Sequence, residues 1–223
     1  MASASRKSAS AANALLKILE EPPARALLLL VCHRPAALLT TIRSRCSELR
    51  CSPLDAGALA AALAAAGAAP DPGKAEALAA LAGGSVGAAI GLIGNDGLAR
   101  YAEILDLLRA TPLDRRRAIA LAESASGRDP ARYALILDLI RLALTRLALA
   151  GAGADVTPVS DSEAVVMARL GATTAQGRLW AGLVPELVAR TAHARAVNLD
   201  PAQVILDTFL QIDAAAAEAR AAA

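Results

Sequence analysis

Asn13-Ala14-Leu15-Leu16-Lys17-Ile18-Leu19-Glu20-Glu21-Pro22-Pro23 marks the start of regular structure in this chain. Ala12, Leu15, Leu16 and Leu19 share one helical face, so helical periodicity begins near Ala11. Ser8 and Ser10 are both placed to cap it, and Met1 to Ser8 is small and polar. The Pro22-Pro23 pair ends the helix, because proline lacks an N–H and restricts the residue before it. Ala26-Leu27-Leu28-Leu29-Leu30-Val31-Cys32 follows, apolar without alternation and short for a helix. That pattern predicts a strand buried on both faces, as in a parallel sheet. Pro35 then suits the first position of a short helix ending near Arg43, and Glu48 to Cys51 reads as a further short strand.

Beyond Pro53 the pattern becomes helical throughout. Asp55 caps a helix to about Ala66, Asp71-Pro72 opens a second that ends at Gly83-Gly84, and Ser85 caps a third closing near Gly94. Longer helices are expected at about 97–109, 112–126, 130–150, 161–170, 174–197 and 200–220. Thr111-Pro112, Asp129-Pro130 and Asp200-Pro201 each pair a cap residue with proline at the first helical position. Gly151 to Pro158 is a loop, and Pro185 predicts a kink inside a helix.

Composition agrees with a mainly helical chain. Hydrophobic residues make up 56% and charged residues 20% of the 223, which excludes disorder over most of the length. Aromatics are only 2%, and alanine and leucine, both strong helix formers, dominate. The net charge of +2 gives no basic field strong enough to bind nucleic acid by itself. Three cysteines, Cys32, Cys46 and Cys51, with no secretory signal, point to a reduced cytoplasmic setting. The longest apolar run, Ala26 to Cys32, is too short to cross a membrane as a helix.

The first helix, the strand after it and Pro35-Ala36-Ala37-Leu38-Leu39-Thr40-Thr41-Ile42-Arg43-Ser44-Arg45-Cys46 form an ordered series. The series resembles the clamp-loader branch of the AAA+ ATPases, in which an NALLKxLEEPP-like helix, a strand and an SRC motif follow one another. The resemblance implies that Arg45 is an arginine finger acting in trans on a neighbouring subunit's ATP, with Ser44 and Cys46 holding its loop. A guanidinium there neutralises charge building on the γ-phosphate, and such fingers contribute about 10³–10⁵ in rate in well-studied NTPases. Motor subunits of the family carry a second arginine in a G-S-x-R-like lid motif. The matching stretch here is Gly84-Ser85-Val86-Gly87-Ala88-Ala89, with Gly87 in that arginine's place. This departure, and Val197-Asn198-Leu199-Asp200-Pro201 before the last helix, favour the delta-prime type, which does not hydrolyse ATP.

No G-x-x-x-x-G-K-[ST] phosphate loop and no C-x-x-C zinc pair occurs. The family's AAA+ domain starts well upstream of an Asn13-like helix, so the resemblance implies a chain lacking its N-terminal part, with residues 1–52 a sheet remnant with open edges.

The remaining site candidates are weaker. Cys32 and His33 are adjacent on the expected strand and point to opposite faces, which excludes a catalytic dyad. Cys46, Cys51 and His33 lack zinc-like spacing and a fourth ligand. His193 reads as a solvated helix residue, as do Arg115-Arg116-Arg117. Trp180, Leu183 and Leu187 form an apolar stripe at helical spacing that belongs to a core, and the resemblance implies that part of it meets other subunits.

The expected architecture is an AAA+ α/β remnant over 1–52, a three-helix lid over 53–95 and an all-helical collar over 96–223. The resemblance implies a non-hydrolysing subunit of the DNA polymerase III clamp loader, joined through the collar to motor subunits and a delta subunit in a hetero-pentamer. It would reach the sliding clamp and primed DNA through that complex, with no cofactor, metal or intrinsic catalysis. A motor (gamma/tau-like) ATPase fragment and a stand-alone helical interaction protein are the alternatives.

Overall fold

The structure is a computed structural model and describes residues 16–32, 34–71, 73–110, 112–125 and 130–221. The chain divides into two compact units, Met1–Ser52 and Pro53–Ala223. The starting residues of the first helix, together with His33, Thr111 and Asp129, lie outside the described residues.

In the first unit, residues 16–20 form α1, and the Glu21 N–H donates to the Lys17 carbonyl at 3.1 Å before the two prolines. A 3₁₀ turn, Pro35–Ala37, precedes α2, Thr40–Arg43. The single helix expected there is split, because Leu38 and Leu39 take ψ values of 143° and 135° and leave helical space. The strands expected at Ala26 to Cys32 and Glu48 to Cys51 are not formed, and no strand occurs among the described residues. The apolar run lies open instead, with Leu27, Leu29 and Val31 at 83%, 79% and 87% exposure. A strand exists only as a member of a hydrogen-bonded ladder. Among the described residues no second strand is present to complete one.

The second unit begins with α3 (Ala56–Ala65), α4 (Ala75–Ala82) and α5 (Val86–Gly94), which pack on one another. Asp55 caps α3, accepting the Ala58 N–H at 2.7 Å, and Ser85 caps α5 from Ala88 at 3.3 Å. Helix α4 starts later than Asp71-Pro72 suggests. Gly73 has φ +82°, which cannot continue a right-handed helix, and the Asp71 carboxylate pairs with Lys74. Gly84, at φ +70°, closes α4 against the preceding strap: its carbonyl accepts the Leu54 N–H at 3.1 Å, and a Cβ there would come 2.5 Å from the Leu54 nitrogen.

Six further helices complete the unit: α6 (Gly97–Arg109), α7 (Arg115–Ala125), α8 (Pro130–Gly151), α9 (Asp161–Leu170), α10 (Thr174–Ala196) and α11 (Pro201–Ala221). Helix α7 starts three residues after Pro112 because Asp114 takes the capping role, accepting the Arg117 N–H at 3.2 Å. The Leu113 N–H goes instead to Asp213 on α11 at 3.0 Å. Pro201 does occupy a first helical position, with Asp200 accepting from Gln203 at 3.1 Å, and α8 is described from Pro130 onward. Pro185 lies within α10, which continues to Ala196. No single helix among the described residues is long and apolar enough to cross a membrane.

Helix α8 is the spine. Tyr133, Ile136, Leu139, Ile140, Ala143, Leu144 and Leu147 are buried at helical spacing, and α8 packs along α10 and against α6. The crossing with α10 is closed by two glycines. A Cβ on Gly151 would lie 2.6 Å from the Gly177 Cα and nitrogen, and one on Gly177 would lie 2.8 Å from the Gly151 carbonyl carbon. Trp180, fully buried on α10, donates its indole N–H to the Leu170 carbonyl at 2.5 Å, so the Trp180–Leu187 stripe is core.

One charged group is buried beside this spine. Glu163, 1% exposed, accepts from Arg146 Nε at 2.7 Å and Nη2 at 3.0 Å, from the Tyr101 hydroxyl and from the Val159 N–H at 2.7 Å. Arg146 also donates to the Thr157 carbonyl at 2.7 Å. Burial pushes the Glu163 carboxyl up, but Arg146, Tyr101 and the Val159 N–H outweigh it and hold it below the ordinary carboxylate range. Burial, followed by the adjacent carboxylate, pushes the Tyr101 hydroxyl far above its ordinary value.

Gly151→Ala forces a methyl into the Gly177 backbone and should cost about 1–3 kcal/mol in urea unfolding. Gly87→Ala on α5, where an added Cβ meets nothing within 4 Å, should instead stabilise by roughly 0.5–1 kcal/mol. Loss at Gly87 or indifference at Gly151 would contradict the packing described. For Glu163 the folded carboxyl sits below its unfolded value of about 4.3, so its contribution is present above that pH and lost as pH falls through the folded value. Tyr101 is shifted up, so its contribution holds below about pH 10 and is lost above it. Glu163→Ala should cost about 3–5 kcal/mol at pH 7, since it strands Arg146 and Tyr101, and the penalty relative to wild type should shrink toward pH 3. A penalty independent of pH would show that the carboxylate charge is not what the network uses.

Candidate functional site

The turn after α2 carries the residues singled out by the sequence. Ile42 is buried and anchors this turn, and the Ser44 N–H caps α2 by donating to the Thr40 carbonyl at 2.9 Å. The Thr41 carbonyl then accepts twice, from the Ser44 hydroxyl at 3.1 Å and from Arg45 Nη1 at 3.0 Å. The Arg45 N–H donates to the Ile42 carbonyl at 3.1 Å, and the Cys46 N–H to that of Arg43 at 3.5 Å. Ser44 therefore holds the loop through its side chain, whereas the Cys46 side chain is exposed and its contribution here is a backbone one.

Arg45 is not simply solvated. Its Nη2 lies 2.8 Å from Glu20 Oε1, with the two side chains 38% and 52% exposed. Glu20 belongs to the Leu19-Glu20-Glu21-Pro22-Pro23 segment, so the ion pair joins the two stretches on which the sequence argument rests. Sequence reasoning missed this partnership, since no local spacing rule links positions 25 residues apart. A guanidinium has five N–H donors in a planar fork. Contacts to Thr41 and Glu20 fix its orientation without using all of them.

The other candidates are not brought together. Cys32, Cys46 and Cys51 are free and exposed, and no cluster of His, Cys, Asp and Glu able to hold a metal occurs among the described residues. His193 is exposed on α10. Arg115 and Arg116 are exposed at the start of α7, and Arg117 pairs with Asp106 of α6 at 3.2 Å. Gly87, at the place of the family's lid arginine, lies on the exposed side of α5.

Comparison with known proteins agrees with the sequence argument. Residues 1–55 match the family described as DNA polymerase III, delta subunit. The DNA polymerase III subunit delta' of Yersinia pestis is 68% identical over 37 residues, which is 17% of this chain and 11% of that protein. The subunit of the same name from Pseudomonas aeruginosa is 44% identical over 117 residues, 52% of this chain and 35% of that protein. The chain thus spans about a third or less of the length of these curated relatives. No solved structure matches. The chain resembles delta-prime subunits of DNA polymerase III, as the ordered motifs implied.

The exposure of the Arg45–Glu20 pair sets its contribution to stability. Exposed pairs are worth about 0–1 kcal/mol. Glu20→Ala and Arg45→Ala should each leave urea unfolding of this chain within about 1 kcal/mol of wild type. A larger loss would mean that the arginine is there to hold the first unit together.

Proposed function

We propose that this chain is a non-hydrolysing, delta-prime-like part of the DNA polymerase III clamp loader, cytoplasmic, acting in replication by helping to place the sliding clamp on primed DNA. The observation that carries this reading is the family match over residues 1–55, which contains both Glu20 and the Ser44-Arg45-Cys46 turn. Helices α3 to α5 serve as the lid. Helices α6 to α11 serve as the collar that joins motor and delta subunits in the hetero-pentamer.

In this reading Arg45 completes the ATP site of the adjacent motor. Phosphoryl transfer places growing negative charge on the γ-phosphate oxygens, and a pre-oriented guanidinium stabilises it without reorganising at the moment of reaction. The contacts from Thr41 and Glu20 supply that orientation. The role requires a planar fork and a permanent charge, which arginine has and lysine does not reproduce. Gly87 supports the non-hydrolysing assignment: it offers no side chain to a phosphate, and open space around it means that packing does not demand glycine there.

The test is Arg45→Ala in the subunit assembled with its motor and delta partners. ATP turnover by the loader should fall while the mass of the complex is unchanged, and Arg45→Lys should not restore it. Turnover equal to wild type in an intact complex would overturn the arginine-finger role.

A further inference from the structure

The two units differ in charge. Met1–Ser52 holds eight Lys and Arg against three Asp and Glu, whereas Pro53–Ala223 holds fifteen against eighteen. Within that acidic second unit the arginines are not spread evenly. Five of its fourteen arginines lie at the end of α6, the start of α7 and the end of α9.

Contacts define the cluster. Asp106 of α6 takes Arg109 Nη2 on one oxygen and Arg117 Nη2 of α7 on the other, both at 3.2 Å. Arg169 of α9 reaches across to the Arg109 carbonyl, 60 positions away in sequence, at 2.5 Å. Two guanidinium groups from two helices thus share the Asp106 carboxylate, a third from α9 is tied to the Arg109 backbone, and the Arg109 and Arg117 side chains are each 51% exposed. Arg115 and Arg116 extend the surface on the first turn of α7, where the acidic neighbour is the capping Asp114 just before it. Like charges held this close repel one another, and they sit at the positive end of the α7 dipole. Helix stability does not explain the arrangement, because cations favour the opposite terminus.

We infer that this arginine cluster is a binding surface for the phosphate backbone of nucleic acid. A row of phosphodiesters matches it in two respects. Guanidinium forks bind phosphate oxygens bidentately, and the planar donors of Arg109 and Arg117 are held side by side by Asp106. A protein partner would need an apolar centre within a charged rim. Here the exposed apolar side chains on the same helices, Ile119 of α7 and Val165 of α9, are isolated residues and not an apolar centre. Binding of this kind is independent of base sequence and strongly salt-dependent. It goes beyond the loader reading, since it gives the helical unit a direct contact with nucleic acid and does not involve Arg45.

The experiment is fluorescence anisotropy of a labelled thirty-nucleotide single strand and its duplex with the whole chain, at rising sodium chloride. Arg109→Gln/Arg116→Gln/Arg117→Gln is compared with Arg141→Gln/Arg178→Gln/Arg190→Gln, which removes the same charge elsewhere on the second unit. Unfolding curves confirm that both variants fold. The first variant should bind at least about tenfold more weakly at low salt, with the slope of log K against log salt lowered by roughly 2–3 if three phosphate contacts are lost. The second should change binding much less. Three results would overturn the inference: no binding by the wild type at low salt, equal weakening by the two variants, or displacement of the DNA by poly-glutamate at matched charge, which would make the surface one for acidic protein.

Discussion

Glu163 is the group on which the helical unit most depends. A carboxylate at 1% exposure is tolerable only while Arg146, Tyr101 and the Val159 N–H all face it. Those partners come from α8, α6 and the loop before α9, so the charge can be buried only when three separate pieces of chain have met. Generic apolar packing of leucine and alanine would accept many registers. The network accepts one, and the Gly151–Gly177 crossing next to it accepts only helices that approach backbone to backbone. Together they place α6, α8, α9 and α10, and with them the ends of α6 and α9 that carry Arg109 and Arg169.

The first unit is organised differently. Its one buried large side chain among the described residues is Ile42, and its apolar Leu27 to Val31 run is open. What order it has comes from polar contacts around a single turn: the Thr41 carbonyl receives Ser44 and Arg45, and Glu20 receives Arg45 from the other motif. Such contacts contribute little to stability and much to direction. They aim one guanidinium, which is what the role proposed for Arg45 requires.

Helix existence in the second unit was legible because punctuation and periodicity agreed. Asp55, Ser85 and Asp200-Pro201 mark helix starts by chemistry that depends on a few adjacent residues. The starts that shifted did so for local reasons with competing readings: Gly73 takes a left-handed conformation after Asp71-Pro72, and Asp114 displaces Thr111-Pro112 as the cap. The expected strands failed for a nonlocal reason, since a strand is decided by its partner and not by its own residues. Thr173 with Gln176 forms a capping box whose T-x-x-Q signal is present in the sequence, and Ser160-x-x-Glu163 has the same form. The second of these conceals the buried network, because the partners of Glu163 are 17 and 62 positions away. The turn bearing Arg45 was readable as a motif, and its Glu20 clamp was not.

In the proposed reading this chain takes its place in a clamp loader through its helical unit. The most direct test mixes the purified chain with motor and delta subunits and determines the mass of the product by light scattering after size exclusion. The expected product is a species of pentamer mass containing this chain at one copy. Elution of the chain by itself, with the partners recovered free of it, would contradict the claim.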